Sequence, residues 1–186
     1  MANDLIYIAF HKPYGVLSQF TPDHPGQRTL SDFGFPKDVY TIGRLDMDSE
    51  GLIILTNDGR IKHQLQDPEF AHERTYWAQV EKIPSDEELK KLSLGVRIKD
   101  YLTRPCQVKK IDVKVAPRDP PIRERKEIPT CWLEMKLIEG KNRQVRRMTA
   151  AIGYPTLRLI RKKFGKIELA DLQLGEWRKI ERKDLI

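Results

Sequence analysis

Residues 43–52 of this 186-residue chain read Gly-Arg-Leu-Asp-Met-Asp-Ser-Glu-Gly-Leu. The apolar runs Val39–Ile42 and Leu52–Thr56 flank this stretch, and their composition predicts two buried strands. Between the strands lies a loop that carries one arginine and three carboxylates and is bounded by glycines. A polar loop that is anchored by a strand at each end can hold functional side chains in fixed positions. The stretch therefore predicts a functional site.

The spacing of the three carboxylates admits a metal site. Asp46, Asp48 and Glu50 match positions one, three and five of an EF-hand calcium loop. Position twelve is Asn57, where a bidentate glutamate is needed, and strands replace the flanking helices. These missing parts argue against calcium binding. A divalent-metal nuclease that uses the same acids stays open on spacing alone.

Asp46 alone is also a candidate catalytic carboxylate. In an extended loop, Arg44 and Asp46 point the same way because they are two residues apart. A neighbouring arginine keeps a partly buried carboxylate ionised, as a nucleophile or a base requires. A structural ion pair that fixes a turn explains the same pattern equally well, so both interpretations stand at this point.

The charge distribution indicates a polyanionic partner. The chain has a formal net charge of +7, and residues 141–163 contain eight basic residues and no Asp or Glu. A solvated surface normally mixes charges of both signs, so this segment favours nucleic acid as the partner. The eight residues are Lys141, Arg143, Arg146, Arg147, Arg158, Arg161, Lys162 and Lys163.

Several functional classes receive no support from the sequence. No apolar window has the length of a membrane span, and the N-terminus lacks the features of a secretory signal, so we expect a cytoplasmic protein that is not in a membrane. Cys106 and Cys131 lack a CxxC partner and are interpreted as buried thiols. The four histidines show no ligand spacing, and no metal is expected.

Local patterns predict an α+β fold around a largely antiparallel sheet, because strands and helices do not alternate regularly. The alternation of side chains predicts strands at residues 5–10, 39–42, 52–56, 74–80, 107–116, 131–138, 157–164 and 166–169. Capping and stop signals predict a helical turn at 29–33 and helices at 60–66, 86–94 and 142–152. The second of these helices has a capping box of Ser85 and Glu88 and ends before Gly95, and Asp67-Pro68 follows the first. Residues 117–129 hold four prolines among basic side chains and predict a long basic loop.

The helix predicted at 142–152 has two faces. Val145, Met148 and Ile152 make an apolar face, whereas the arginines at 143, 146 and 147 make a basic one. A solvated charged face is the ordinary explanation of such a pattern. Entry from a glycine turn at Lys141, however, brings backbone amides and guanidinium groups to one place, which suits phosphates or a carboxylate.

Five stretches of the chain, in this order and spacing, resemble the RNA pseudouridine synthases, in the branch that modifies ribosomal RNA at single sites. The central stretch, Gly43 to Asp46 with Ser49 to Leu52 and Leu55 to Gly59, resembles the catalytic motif of this family. The others are residues 12–16, the strand with Tyr76, residues 139–148 and the tail at 175–178. The resemblance covers nearly the whole chain.

The resemblance implies site residues one by one. Asp46 matches the essential aspartate, and Arg44 matches the arginine that helps to hold the uridine flipped out of its stack. Tyr76 matches the tyrosine that lies against the target base, and Arg146 matches the basic residue paired with the aspartate. Further substrate-binding residues are expected among the basic side chains Lys12, Lys141, Arg143, Arg147, Arg158 and Arg161.

The resemblance also implies an overall organisation and a reaction. We expect residues 1–186 to form one catalytic domain of two packed halves with flanking helices and a central active-site cleft, without a separate S4-type RNA-binding domain. The implied reaction isomerises a specific uridine of 23S ribosomal RNA to pseudouridine by base flipping. No cofactor is expected, because substrate and product contain the same atoms, and we expect a monomer.

Two other functional classes are alternatives to a pseudouridine synthase. A non-catalytic, ribosome-associated RNA-binding protein would explain the charge but not the combination of Asp46, Tyr76 and Arg146. A metal-dependent nuclease would use Asp46, Asp48 and Glu50 and would lose its activity in EDTA, whereas a synthase would not.

Overall fold

The computed structural model describes residues 4–67, 72–123, 125 and 127–186. It divides into two compact units, of which the first takes Met1–His72 and Arg161–Ile186 and the second takes Glu73–Ile160. Pro68, expected to follow the first helix, and Glu124 and Lys126 of the predicted basic loop lie outside the described residues.

The elements follow one another in an irregular order of strands and helices. The strands are β1 Tyr7–Lys12, β2 Tyr40–Ile42, β3 Glu50–Thr56, β4 Arg74–Glu81, β5 Arg97–Ile98, β6 Tyr101–Leu102, β7 Gln107–Ile111, β8 Thr130–Leu137, β9 Thr156–Phe164, β10 Ile167–Glu168 and β11 Trp177–Lys179. The helices are a 3-10 helix Leu30–Phe33, α1 Gly59–Gln66, α2 Asp86–Leu94, α3 Gln144–Ala151 and α4 Arg182–Leu185.

In the first unit, antiparallel strands surround β3. β1 pairs with β3 on one edge and with β11 on the other, and β2 also pairs with β3. All seven residues of β3 are buried, which explains why its sequence is almost continuously apolar. After β3, the carboxylate of Asp58 caps α1 by accepting from the backbone N–H groups of Arg60 and Ile61.

Aromatic rings fill the space beside β1. The rings of Phe10 and Phe33 have centroids 4.8 Å apart, and Phe10 meets Phe35 edge to face at 5.0 Å. The indole N–H of Trp177 donates to the carbonyl of Phe33 at 3.0 Å, so its polar atom is satisfied inside the cluster. This packing ties the C-terminal strand β11 to the N-terminal part of the unit.

In the second unit, β4, β8 and β7 form an antiparallel ladder in that order. One face of the ladder packs against α2 and α3, and the shared core includes Ala78, Leu92, Met135 and Met148. α2 has the predicted capping box: Glu88 N–H donates to the Ser85 hydroxyl, and Ser85 N–H donates to the Glu88 carboxylate.

The predicted fold class is confirmed: the chain is α+β, and the strand ladders within each unit are antiparallel. The strand predicted at 107–116 is shorter than expected, because pairing with β8 ends at Ile111 opposite Trp132. The β5–β6 hairpin, β11 and α4 were not predicted. They have between two and four residues each, too few for a periodic signal.

Two further observations concern the described residues. None of their helices has the length and apolar character needed to cross a membrane. Cys106 and Cys131 are free thiols of intermediate exposure, and burial raises the pKa of Cys106 to about 11. The prediction of buried thiols is met only in part, because both side chains are half-buried. A thiol with a raised pKa is a poor nucleophile.

Candidate active site

The loop at residues 43–49 joins β2 to β3, as the sequence predicted. Gly43 begins the loop with a φ of +69°, a left-handed conformation that glycine adopts without strain. The N–H of Ser49 donates to the carbonyl of Asp46 at 3.0 Å and closes a tight turn before β3. Asp46 stands in this turn, half-buried.

A second segment of the first unit, residues 15–18, holds this loop from the side. The Ser18 hydroxyl donates to the Leu45 carbonyl at 2.6 Å and accepts from the Leu45 N–H at 3.1 Å. The N–H of Gly15 donates to the Met47 carbonyl at 2.8 Å. Backbone bonds on both sides of Asp46 thus fix its position, a requirement for a preorganised catalytic group.

Lys12 lies beneath the loop with none of its surface exposed. Its ammonium group donates to the carbonyls of Val16 at 2.7 Å and Pro13 at 2.9 Å, and to that of Met47 at 3.5 Å. A side chain without exposed surface cannot contact RNA directly. The predicted RNA-binding role of Lys12 therefore does not fit the structure, which gives this residue an internal role.

The pKa of Lys12 depends on its burial and on the nearby acidic residues Glu50, Asp48 and Asp46. Burial lowers the pKa of the Lys12 ammonium to about 7, although the carboxylates of Glu50, Asp48 and Asp46 act to raise it, and Arg161 lowers it further. Lys12 and Asp46 are thus close enough to influence each other.

The other polar residues of the stretch differ in exposure. Arg44 is exposed, and its guanidinium donates to the side-chain oxygen of Gln19 at 2.8 Å. Asp48 is half-buried, whereas Glu50 is 2% exposed at the start of β3. Arg44 is therefore accessible to a ligand, whereas Glu50 is enclosed at the start of β3.

Gly51 marks a close approach within the first unit. A Cβ atom at this position would lie 2.3 Å from the carbonyl oxygen of Arg161 and 2.5 Å from its nitrogen, and Gly51 has a φ of +111°. Only glycine lets the two backbones come so near. Gly51 also lies opposite Lys12 in the β1–β3 register.

Two of the arginines predicted to bind RNA are buried. Arg161 is 3% exposed, and its Nε donates to the carbonyl of Leu52 at 2.7 Å. Arg158 is 5% exposed, and its Nη1 donates to the carbonyl of Ala116 at 2.6 Å. Surface contacts with RNA do not fit these positions. Both guanidinium groups satisfy backbone carbonyls within their own units.

In the second unit, Tyr76 lies on β4 opposite Met135 of β8. Its ring is partly buried against the core of that unit, so one side packs and the remainder is accessible. Arg146 is half-buried on α3, and its Nη1 donates to the carbonyl of Thr156 at 3.1 Å. Both predicted residues are thus held by the second unit.

Glu139 organises the segment before α3. Its carboxylate accepts from the backbone N–H of Arg104 at 2.9 Å, from the hydroxyl of Tyr101 and from the side-chain amide of Gln144. Gln144 in turn accepts from the N–H of Lys141 at 2.9 Å. The sequence analysis placed Glu139 in a family-like stretch but gave it no role, because its partners Tyr101 and Arg104 are distant in sequence.

The remaining basic residues of this segment lie at the surface. Lys141 and Arg143 are exposed, and Arg147 is half-buried and donates to the Asn142 side chain at 2.7 Å. The Lys141 ammonium lies 5.2 Å from the centre of the Tyr101 ring, a cation–π distance. These three side chains are placed where a ligand can reach them.

The described part of the chain contains no group of three or more His, Cys, Asp or Glu side chains arranged to hold a metal ion. The carboxylates of Asp46, Asp48 and Glu50 instead lie near the buried Lys12, and Asp46 stands in a hydrogen-bonded turn.

Comparison with known proteins gives a consistent result. The family described as RNA pseudouridylate synthase matches residues 6–151. The ribosomal large subunit pseudouridine synthase E of Vibrio vulnificus is 54% identical over 174 residues, 93% of this chain and 74% of that protein. The protein of the same name from Xanthomonas campestris is 51% identical over 174 residues, 92% of this chain and 93% of that protein.

A more distant relative and a solved structure agree with these matches. The ribosomal large subunit pseudouridine synthase B of Bacillus subtilis is 35% identical over 94% of this chain and 68% of that protein. The fold is shared with a crystal structure of a pseudouridylate synthase at a TM-score of 0.78 and 23% identity, over 98% of this chain and 73% of that one.

Proposed function

Because the chain belongs to the RNA pseudouridylate synthase family, we propose that it isomerises a uridine of large-subunit ribosomal RNA with Asp46 as the catalytic carboxylate. The observation that carries the proposal is the position of Asp46 in a turn whose backbone is bonded on both sides, to Ser18 through Leu45 and to Gly15 through Met47. Such a turn presents one carboxylate in one orientation.

The reaction needs little more than a positioned carboxylate. The bond between C1′ and N1 breaks, the uracil turns, and a bond forms between C1′ and C5. The hydrogen on C5 leaves as a proton, and N1 takes up a proton. A carboxylate beside C1′ can bond to the electron-deficient carbon or remove a proton from the sugar, by analogy with glycosidic cleavage.

Access to C1′ in folded RNA requires that the nucleotide leaves its stack. Arg44 is exposed and held by Gln19, which supports a role in holding the flipped uridine. Tyr76 presents part of its ring, which supports a role against the target base. Arg146 is proposed to act in the reaction as the cation that pairs with the aspartate, as the family resemblance implies.

We propose 23S ribosomal RNA as the substrate, a cytoplasmic location, a monomeric state and activity without a cofactor. The name shared by the relatives from Vibrio and Xanthomonas supports the large-subunit substrate. The net charge of +7 supports binding to a polyanion.

The test is release of tritium from 23S ribosomal RNA transcribed with uridine labelled at C5, with and without EDTA. We expect the purified chain to release tritium at the same rate in both conditions, and chemical mapping of the treated RNA to locate pseudouridine at a defined position. An absence of release would refute the proposal. Loss of release in EDTA together with RNA cleavage would instead support the nuclease alternative.

A further inference from the structure

The β5–β6 hairpin of the second unit is held rigidly at its base. The backbone N–H of Val96 donates to the Thr103 hydroxyl at 2.9 Å, and the Thr103 N–H donates to the Val96 carbonyl at 3.0 Å. A Cβ at Gly95 would lie 2.3 Å from the Thr103 carbonyl oxygen, so only glycine permits this approach. The hairpin therefore projects from a fixed point.

Glu139 connects the hairpin to the segment that precedes α3. One carboxylate receives hydrogen bonds from Tyr101 and Arg104 on the hairpin side and from Gln144 at the start of α3. The Lys141 ammonium lies over the Tyr101 ring. Segments about forty residues apart in sequence are thus combined into one surface.

This surface is strongly basic. It presents five exposed cations, and we call it the hairpin surface: Arg97, Lys99, Arg104, Lys141 and Arg143. Two acidic residues lie in the same segments, the exposed Asp100 and Glu139, whose carboxylate is directed to the internal hydrogen bonds described above. The cations therefore outnumber the acids available to solvent by a wide margin.

Two of these residues have backbone conformations that are unfavourable for residues other than glycine. Lys99 has a φ of +55° and Arg143 a φ of +51°, both in the left-handed region that glycine adopts without strain. At each position glycine would serve the backbone better than a long side chain. Glycine at either position would therefore remove a positive charge and relax the backbone at the same time.

We propose that the hairpin surface binds phosphate groups of the RNA substrate outside the target nucleotide. Exposed guanidinium and ammonium groups on segments that Glu139 joins through hydrogen bonds suit the charge of an RNA backbone. Contacts of this kind fix the register of the nucleic acid. The proposal rests on the proposed function for the identity of the ligand, and it adds residues 97–104 to the surfaces that contact RNA.

The test replaces strained cations by glycine. In the double variant Lys99→Gly, Arg143→Gly, the melting temperature should stay equal or rise, because the left-handed conformations become unstrained. Binding to a 23S ribosomal RNA transcript should weaken, and the slope of log K against log salt should fall by about 1.5, or about 0.7–0.9 for each lost phosphate contact.

The matched control is Lys82→Gly. Lys82 is also exposed and has a φ of +66°, but it lies outside the hairpin surface. We expect this variant to gain the same conformational benefit with unchanged RNA affinity and salt slope. A second variant, Arg97→Gln with Arg104→Gln, removes two charges without touching a strained position and should lower the slope by a similar amount.

The proposal is overturned if both double variants bind the transcript with the affinity and salt slope of the unmodified chain. It is also overturned if Lys82→Gly lowers the slope equally, because the effect would then follow total charge. Failure of the proposed function is a separate result: no tritium release by the unmodified chain, whether or not the slope changes.

Discussion

The ammonium nitrogen of Lys12 lies 3.5 Å from the carbonyl oxygen of Met47, the residue that follows Asp46. Lys12 also donates to the carbonyls of Val16 and Pro13. One buried cation thus joins the end of β1, the segment after it and the candidate catalytic turn. The position of Asp46 depends on an internal lysine as well as on backbone hydrogen bonds.

Substitution of Lys12 by methionine should therefore impair turnover. Methionine has a similar length but cannot donate to the three carbonyls, so the turn at Met47 loses an anchor. We expect kcat for tritium release to fall by between about tenfold and a hundredfold, the cost of misplacing a catalytic group by about 1 Å. RNA affinity should change little, because Lys12 has no exposed surface.

A suitable control is Lys37→Met, which removes an exposed lysine of the same unit. This variant should retain full turnover. If Lys12→Met lowered RNA affinity and left kcat intact, Lys12 would be a substrate contact, and the internal role would be wrong.

The buried position of Lys12 also predicts a dependence of stability on pH. Its pKa is about 7 in the folded chain, against an ordinary value of 10.5. Between these values the unfolded chain binds a proton at Lys12 that the folded chain has released, so the stability supplied by this group rises with pH. Below about pH 7 both states carry the proton, and the cost of burying the charge is present in full.

This dependence can be measured by urea unfolding of the unmodified chain and Lys12→Met at pH 8 and pH 9. The unmodified chain should gain about 1 kcal/mol more than the variant over this interval, since one proton contributes about 1.4 kcal/mol per pH unit. Equal gains in the two proteins would show that Lys12 titrates normally.

The close approach at Gly51 predicts a large effect on stability. In Gly51→Ala, the new methyl group would meet the Arg161 backbone at 2.3 Å, and the φ of +111° would be strained. We expect a loss of at least about 2 kcal/mol in the free energy of unfolding. Gly59→Ala is the control, because Gly59 begins α1 with nothing within 4 Å of the added Cβ. That variant should be neutral or slightly stabilising.

Urea denaturation of Gly51→Ala, Gly59→Ala and the unmodified chain measures these changes in the free energy of unfolding. A similar midpoint for Gly51→Ala and the unmodified chain would mean that the strands near Arg161 can move apart without cost.

Local sequence signals were sufficient to predict the loop that carries the candidate site and the two strands that flank it. The loop at 43–49 lies between two strands as predicted, because glycine boundaries and continuous apolar runs are direct consequences of local geometry. The capping box of Ser85 and Glu88 was predicted for the same reason, since all of its hydrogen bonds form within four residues.

Features that depend on distant partners were not predicted. Val113 and Val115 continue the alternation of apolar and polar residues in β7, but the hydrogen-bonded ladder ends at Ile111. The predicted strand was too long because an alternating sequence indicates which side chains are buried and does not indicate whether a neighbouring strand is present. The burial of Lys12, Arg158 and Arg161 was likewise missed. A run of basic residues predicts a charged surface, but Arg158 and Arg161 are buried and donate to the carbonyls of Ala116 and Leu52, which are distant in sequence. Lys12 is buried as well and reaches the carbonyl of Met47.

The most direct test of the central claim is tritium release from 23S ribosomal RNA labelled at C5 of uridine, by Asp46→Asn beside the unmodified chain. Asparagine keeps the size of the side chain but can neither bond to C1′ as a carboxylate nor remove a proton. We predict that Asp46→Asn binds the RNA with nearly unchanged affinity and releases no tritium above background. Substantial release by Asp46→Asn would contradict the assignment of Asp46 as the catalytic residue.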